Sequence, residues 1–129
     1  MKNTGKSINE YYKDVPVVKF PKDENIIIVK IHNTISQRPI QDCIKIEWMI
    51  NHKRALLSDI LLAVNEGLIV DIFVLNDIIP KNKSGKHRKK LFVTQIKNPK
   101  LRKKYVNKLI PDIYRQKGEG YPIRYNYNI

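Results

Sequence analysis

The stretch "ILLAVNEGLIVDIFVLNDII", residues 60 to 79, leaves this chain few folds. Two apolar runs with a strand-like period flank "NEG", and Gly67 supplies the positive φ that a tight turn between antiparallel strands requires. In the second run, simple alternation places Leu68, Val70, Ile72 and Val74 on one face and Ile69, Asp71, Phe73 and Leu75 on the other. Both faces are largely apolar, so both have to be covered, as in a small closed barrel.

The rest of the chain supplies the partners of this hairpin. "NIIIVKIH" from Asn25 reads as a buried strand, "LFVTQI" as another and "PIRYNYN" as the last. "SQRPIQDCIKIEW" reads as a short helix capped by Ser36, with Pro39 in its first turn and Ile40, Cys43 and Ile44 on its apolar face. "NHKRALLSD" offers Asn51 as a second cap for another helical turn. "NPKLRKKYVNKLIP" predicts a helix from Asn98 and Pro99 to a stop before Pro111. Leu101, Tyr105 and Leu109 face the core, and Lys100, Arg102, Lys103, Lys104 and Lys108 face solvent. Residues 1 to 24, interrupted by Pro16 and Pro21, form an arm that packs Tyr11, Tyr12, Val17 and Phe20, and residues 25 to 129 form one domain. About five strands with short helices and no βαβ rhythm predict an α+β fold, a small mixed β-barrel.

The charge is concentrated in one place. The net charge is +13, and between Asp77 and Asp112 there is no acidic residue. That interval holds Lys81, Lys83, Lys86, Arg88, Lys89, Lys90, Lys97, Lys100, Arg102, Lys103, Lys104 and Lys108, which is 12 of the 25 basic residues. A lysine-rich codon bias raises lysine throughout a chain but does not remove acids from one segment. The segregation points to a polyanion, a nucleic acid, as partner.

Several chemistries are not signalled. The longest apolar runs fall far short of the ~20 residues of a membrane span, and "MKNTGKSINEYYKDVP" lacks the apolar core of a secretory signal. The single Cys43 cannot form an internal disulfide and sits at helical spacing from Ile40, as a packing residue does. A cytoplasmic setting without membrane contact is expected. His32, His52 and His87 are too dispersed for a metal site, and "GKHRKK" lacks the glycine spacing and hydroxyl of a phosphate loop. No nucleophile elbow is present, and Glu47, Asp59, Glu66, Asp71 and Asp77 form no two-metal cluster. No metal or cofactor is expected. Trp48, flanked by Lys45 and Glu47, and Arg124, between Tyr121 and Tyr125, have the chemistry of a base pocket. Aromatic stacking contributes ~1 to 3 kcal/mol per base, and arginine grips phosphate or a base edge bidentately. The same residues also suit a core tryptophan and an outward-facing strand arginine.

The succession "DCIKIEWMINHKRA", "ILLAVNEGLIVDIFVLND", "RKKLFVTQ" and "LRKKYVNKLIPDIYRQKGEGYPIRYNYN" resembles a bacterial and phage domain family related to the PUA, ASCH and EVE β-barrels. That domain is also found fused to GIY-YIG nuclease domains. The resemblance covers most of residues 25 to 126 and is most specific at the end, where Tyr105, Lys108, Gly118, Pro122, Ile123, Arg124 and Tyr125 match. It implies a PUA/EVE-like barrel that binds DNA or RNA and reads a modified or flipped base, a reader and not a nuclease. The implied pocket is Lys45, Trp48, Arg124 and Tyr125; the charge segregation separately assigns Lys81, Lys83, Lys86, Arg88, Lys89, Lys90, Arg102, Lys103 and Lys104 to phosphates. The chain departs from the family pattern where Lys45 replaces an arginine, Ile46 a glycine and Lys90 a tryptophan, and lysine lacks the bidentate fork of arginine. Two other classes fit the same residues. One is an ASCH-type amidohydrolase acting on nucleosides through Lys45, Thr94 and Glu47. The other is a phage-type protein that binds a partner or host protein and blocks its complex.

Overall fold

The computed structural model describes residues 14–31, 48–49, 52–80, 88–115 and 123–127. Its strands are β1 (Ile26–Lys30), β2 (Trp48–Met49), β3 (Ile60–Asn65), β4 (Leu68–Pro80), β5 (Arg88–Gln95) and β6 (Ile123–Tyr125). Two short helices, α1 (His52–Leu56) and α2 (Pro99–Tyr105), and a 3-10 turn at Asp112–Tyr114 complete the described elements. The six strands form one mixed sheet in the order β2-β5-β4-β3-β1-β6. The α+β class is as the sequence implies. Among the described residues β2 and β6 are the two ends of the sheet order, so the expected closure into a barrel is not seen.

The β3–β4 hairpin forms around the two-residue turn Glu66–Gly67, with Asn65 opposite Leu68. Both turn residues take positive φ, 51° and 85°, as the turn class that matches strand twist demands. β1 runs parallel to β3 and antiparallel to β6, and Ile26, Ile27, Ile28 and Val29 are each fully buried. A strand buried on both sides reads as continuous β-branched residues without alternation, which is what "IIIV" is.

Each face of the sheet carries its own core. One gathers Ile27, Val29, Leu61, Phe73, Leu75, Ile78, Leu91 and Val93, with Ala55 of α1 and the half-buried Ile123 and Tyr125. The other gathers Ile26, Ile28, Leu62, Val64, Ile69, Ile72 and Ile96 beneath Val18, Tyr105 and Ile110, with Leu101 of α2 against it. Simple alternation along β4 is corrected here. The register shifts opposite Ala63/Val64 and again between Leu75 and Asp77, so Val70 and Asn76 are extra residues. Each bulge resets the pattern, placing Ile69 with Ile72 and Leu75 with Ile78. The residue after each extra one is an aspartate whose Oδ1 accepts the next backbone N–H: Asp71 from Ile72 and Asp77 from Ile78, both at 2.8 Å.

Helix α2 starts where expected and ends early. Asn98 caps it by accepting the Leu101 N–H at 3.1 Å, and Pro99 occupies the first turn. Val106 is extended and Asn107 has φ 67°, so the chain leaves the helix after Tyr105. Residues 107–110 lie along the start of β4 and the arm: Ile69 N–H donates to Lys108 O, Ile110 N–H to Gly67 O and Val18 N–H to Leu109 O. Leu109 is buried as expected, although from an extended segment. In the arm Val18 is buried and Val17 exposed, reversing the expectation for Val17. Tyr11 and Tyr12, and the helix expected over 36–47, lie outside the described residues. Trp48, expected at the end of that helix, is instead in β2, where it pairs with Lys89. No helix among the described residues is long and apolar enough to cross a membrane.

Candidate nucleic-acid interface

The described members of the basic segment divide into two groups. Lys90, Lys97, Lys100, Lys103 and Lys104 are exposed on β5, the turn after it and α2. Arg102 is committed inward. Its Nη1 donates to Asp71 Oδ1 at 2.9 Å and to the Ile96 carbonyl at 2.8 Å, while Gln95 Nε2 donates to Asp71 Oδ2 at 2.8 Å. Arg102, expected on phosphates, thus has its guanidinium paired with the carboxylate of the buried Asp71, and its side chain is about one-third exposed. Lys108 is half-buried and bonds the Lys103 carbonyl at 2.7 Å, satisfying an end of α2. Lys104 lies with its Nζ 5.1 Å from the centre of the Tyr105 ring, leaving the ammonium at the surface. Lys81, Lys83 and Lys86 lie outside the described residues, and of Arg88 and Lys89 only the strand pairing is described.

Next to the exposed lysines the sheet presents an uncovered strip. In β4 and β5, Leu75, Ile78, Leu91 and Val93 point into the first core, and their neighbours Val74, Ile79, Phe92 and Thr94 point outward. Cross-strand pairs join Val74 to Thr94, Asp77 to Phe92 and Ile79 to Lys90. Thr94 Oγ1 donates to Asn76 Oδ1 at 2.5 Å. Thr94 belongs to the alternative amidohydrolase set; its companions Lys45 and Glu47 lie outside the described residues.

Of the expected base pocket, Arg124 and Tyr125 are not brought to one face. Arg124 and Tyr125 are successive strand residues and so project to opposite faces of β6. Arg124 stands 5.2 Å from the centre of the Tyr114 ring, which packs on Phe20 and the second core. Burial raises the Tyr114 pKa and Arg124 opposes that shift. Tyr125 packs on the first core, under Arg54 of α1. Trp48 belongs to β2, separated from β6 by four strands in the sheet order, and Lys45 lies outside the described residues.

Arg54 is the organising residue at that edge, and nothing in the sequence pattern marks it. Its carbon Cζ lies 4.1 Å from the Tyr125 ring centre, and Nε and Nη2 donate to the Tyr127 carbonyl at 3.1 and 2.6 Å. The Tyr127 hydroxyl donates back to the Arg54 carbonyl. Burial raises the Tyr127 pKa, and Tyr125 adds to the shift. No group of three or more metal-ligating side chains occurs among the described residues.

Fold and surface together define a small α+β fold with a mixed sheet, two cores and exposed lysines on β5, α2 and the turn between them. Comparison with family models, with curated proteins and with solved structures finds no match for the chain.

Proposed function

We propose that the chain is a nucleic-acid-binding domain whose acid-free segment from 81 to 108 engages phosphates. The observation that carries this reading is the segregation of 12 basic residues from every acid, together with the exposure of Lys90, Lys97, Lys100, Lys103 and Lys104. Kinship with PUA/EVE-like barrels in a cytoplasmic setting belongs to the same proposal. A mixed sheet with two cores and the "IRY" of the ending, which forms β6, support it. Base reading by Arg124 and Tyr125 as one pocket is left out, because they face opposite sides of their strand.

Phosphate contacts release counterions, so log affinity falls with log salt by about 0.7 to 0.9 per contact. About five engaged lysines would cost roughly 130- to 500-fold between about 50 and 200 mM salt. Fluorescence anisotropy with labelled oligonucleotides across that range is the measurement, and a flat response would sink the proposal. Arg102→Gln should leave the slope unchanged, whereas Lys97, Lys100, Lys103 and Lys104 changed together to Gln should lower it for every sequence alike.

A further inference from the structure

Among the described residues, the cover over the second face of the sheet stops partway along β4 and β5. Leu101 and Tyr105 of α2 pack over the start of β4, beside Ile69 and Ile72. Past Val74 no described residue covers the same face, and Val74, Ile79 and Phe92 stand 39%, 42% and 41% exposed. Scattered surface apolar residues are ordinary. Three on one side of one strand pair, with an aromatic ring among them and their inward neighbours fully packed, form a patch that calls for a partner. Lys90 is opposite Ile79 in the register, and exposed Lys97 and Lys100 follow where β5 turns into α2.

We propose that this bare strip of β4 and β5 is a stacking face for single-stranded nucleic acid, with Phe92 as the ring that takes a base and Lys90, Lys97 and Lys100 on the phosphates. The inference rests on the nucleic-acid reading above and names its ligand class. A ring on a sheet surface reaches the face of a base only when that base is unstacked, which a single strand permits and a duplex does not. The apolar neighbours Val74 and Ile79 exclude water beside the stack. Exposed lysines are disfavoured at the centre of protein interfaces, and a second copy would bring the same cations against each other. Asp77, opposite Phe92, has one oxygen held by the Ile78 N–H.

The test is fluorescence anisotropy with a labelled oligo-dT, an oligo-U and a duplex of equal length. The proteins are the wild type, Phe92→Ala, Phe92→Leu and, as a control at an exposed apolar residue away from the strip, Ile113→Ala. Losing one stacked base weakens single-strand binding by about 5- to 150-fold. Both Phe92 variants should show this loss with an unchanged salt slope, near-wild-type duplex binding and an unchanged melting temperature, while the control binds like wild type. Leucine keeps the apolar packing and removes the ring, so a loss in both variants is a loss of stacking. If the wild type binds and both variants bind equally well, the stacking face is wrong and the phosphate reading stands. If the wild type binds no oligonucleotide, the underlying reading fails. A Phe92-dependent dimer by sedimentation would assign the strip to a second copy and overturn the inference.

Discussion

The carboxylate of Asp71 is the one buried acidic group among the described residues, and three donors hold it: the Ile72 N–H, Gln95 and Arg102. Burying a charge is tolerable only when it is paired and hydrogen-bonded, so each donor offsets part of the desolvation cost. Arg102 is about one-third exposed, which weakens its share through solvent screening. Arg102→Met should therefore cost about 1 to 2 kcal/mol by urea denaturation, less than a fully buried pair would. Tyr105 makes a second prediction. Its side chain is fully buried, and its hydroxyl donates to Glu24, so burial first and then Glu24 raise its pKa above the ordinary 10.0. A raised tyrosine pKa stabilises the fold below pH ~10. Above that the unfolded chain releases the proton while the folded one keeps it, and stability falls as pH rises. Tyr127, also raised, adds to the same loss. Urea midpoints measured from pH 9 to 11 should fall, and Tyr105→Phe should make that fall shallower.

At the scale of elements, what the sequence discloses depends on whether the signal is local. The β3–β4 hairpin is legible because Gly67 sits between two apolar runs, and the start of α2 because Asn98 and Pro99 are chemically suited to it. The bulges are not legible, because an extra residue looks like any other until the partner strand sets the register. That is why alternation assigned Ile69 and Ile72 to different faces when they share one. The end of α2 was hidden for a similar reason: Val106 and Asn107 leave the helix so that residues 107–110 can bond β4 and the arm, and those partners are remote in sequence. The turn yields the element-scale prediction. Gly67 has φ 85°, so Gly67→Ala should destabilise by about 1 kcal/mol. Glu66 has φ 51°, where asparagine is more at ease, so Glu66→Asn should stabilise by a few tenths of a kcal/mol, about 0.5 at most. Thermal melts of the two variants should move in opposite directions.

For the whole molecule, the arrangement that matters most was set by long-range pairing. Nothing local says that β1 pairs parallel with β3, or that Trp48 and Arg124 fall in strands at opposite ends of the order. The basic segment was legible because charge segregation is visible without a fold; the expected pocket was not, because it needed strand order and facing. The same topology leaves the β6 edge dependent on few contacts. β6 has three residues, all half-buried, and its junction with β1 is reinforced by Asn126, which accepts from Ile26 N–H at 2.6 Å and donates to the Glu24 carbonyl at 2.9 Å. Arg54 then ties the following residue to α1 through two bonds to the Tyr127 carbonyl and a cation–π contact with Tyr125. Removing those interactions with Arg54→Met should cost about 2 kcal/mol, since the methionine keeps some packing on Tyr125 and loses the bonds. The edge should open on its own. In the wild type, amide exchange at Ile26 and Asn126 should report a smaller opening free energy than at Leu61, Leu62 and Ile72 in the β3–β4 hairpin, and Arg54→Met should speed exchange at Ile26 and Asn126 by about 30-fold. Equal protection at all of these amides in the wild type would mean that β6 opens only when the entire sheet does, and that Arg54 stabilises the molecule as a whole and not its edge.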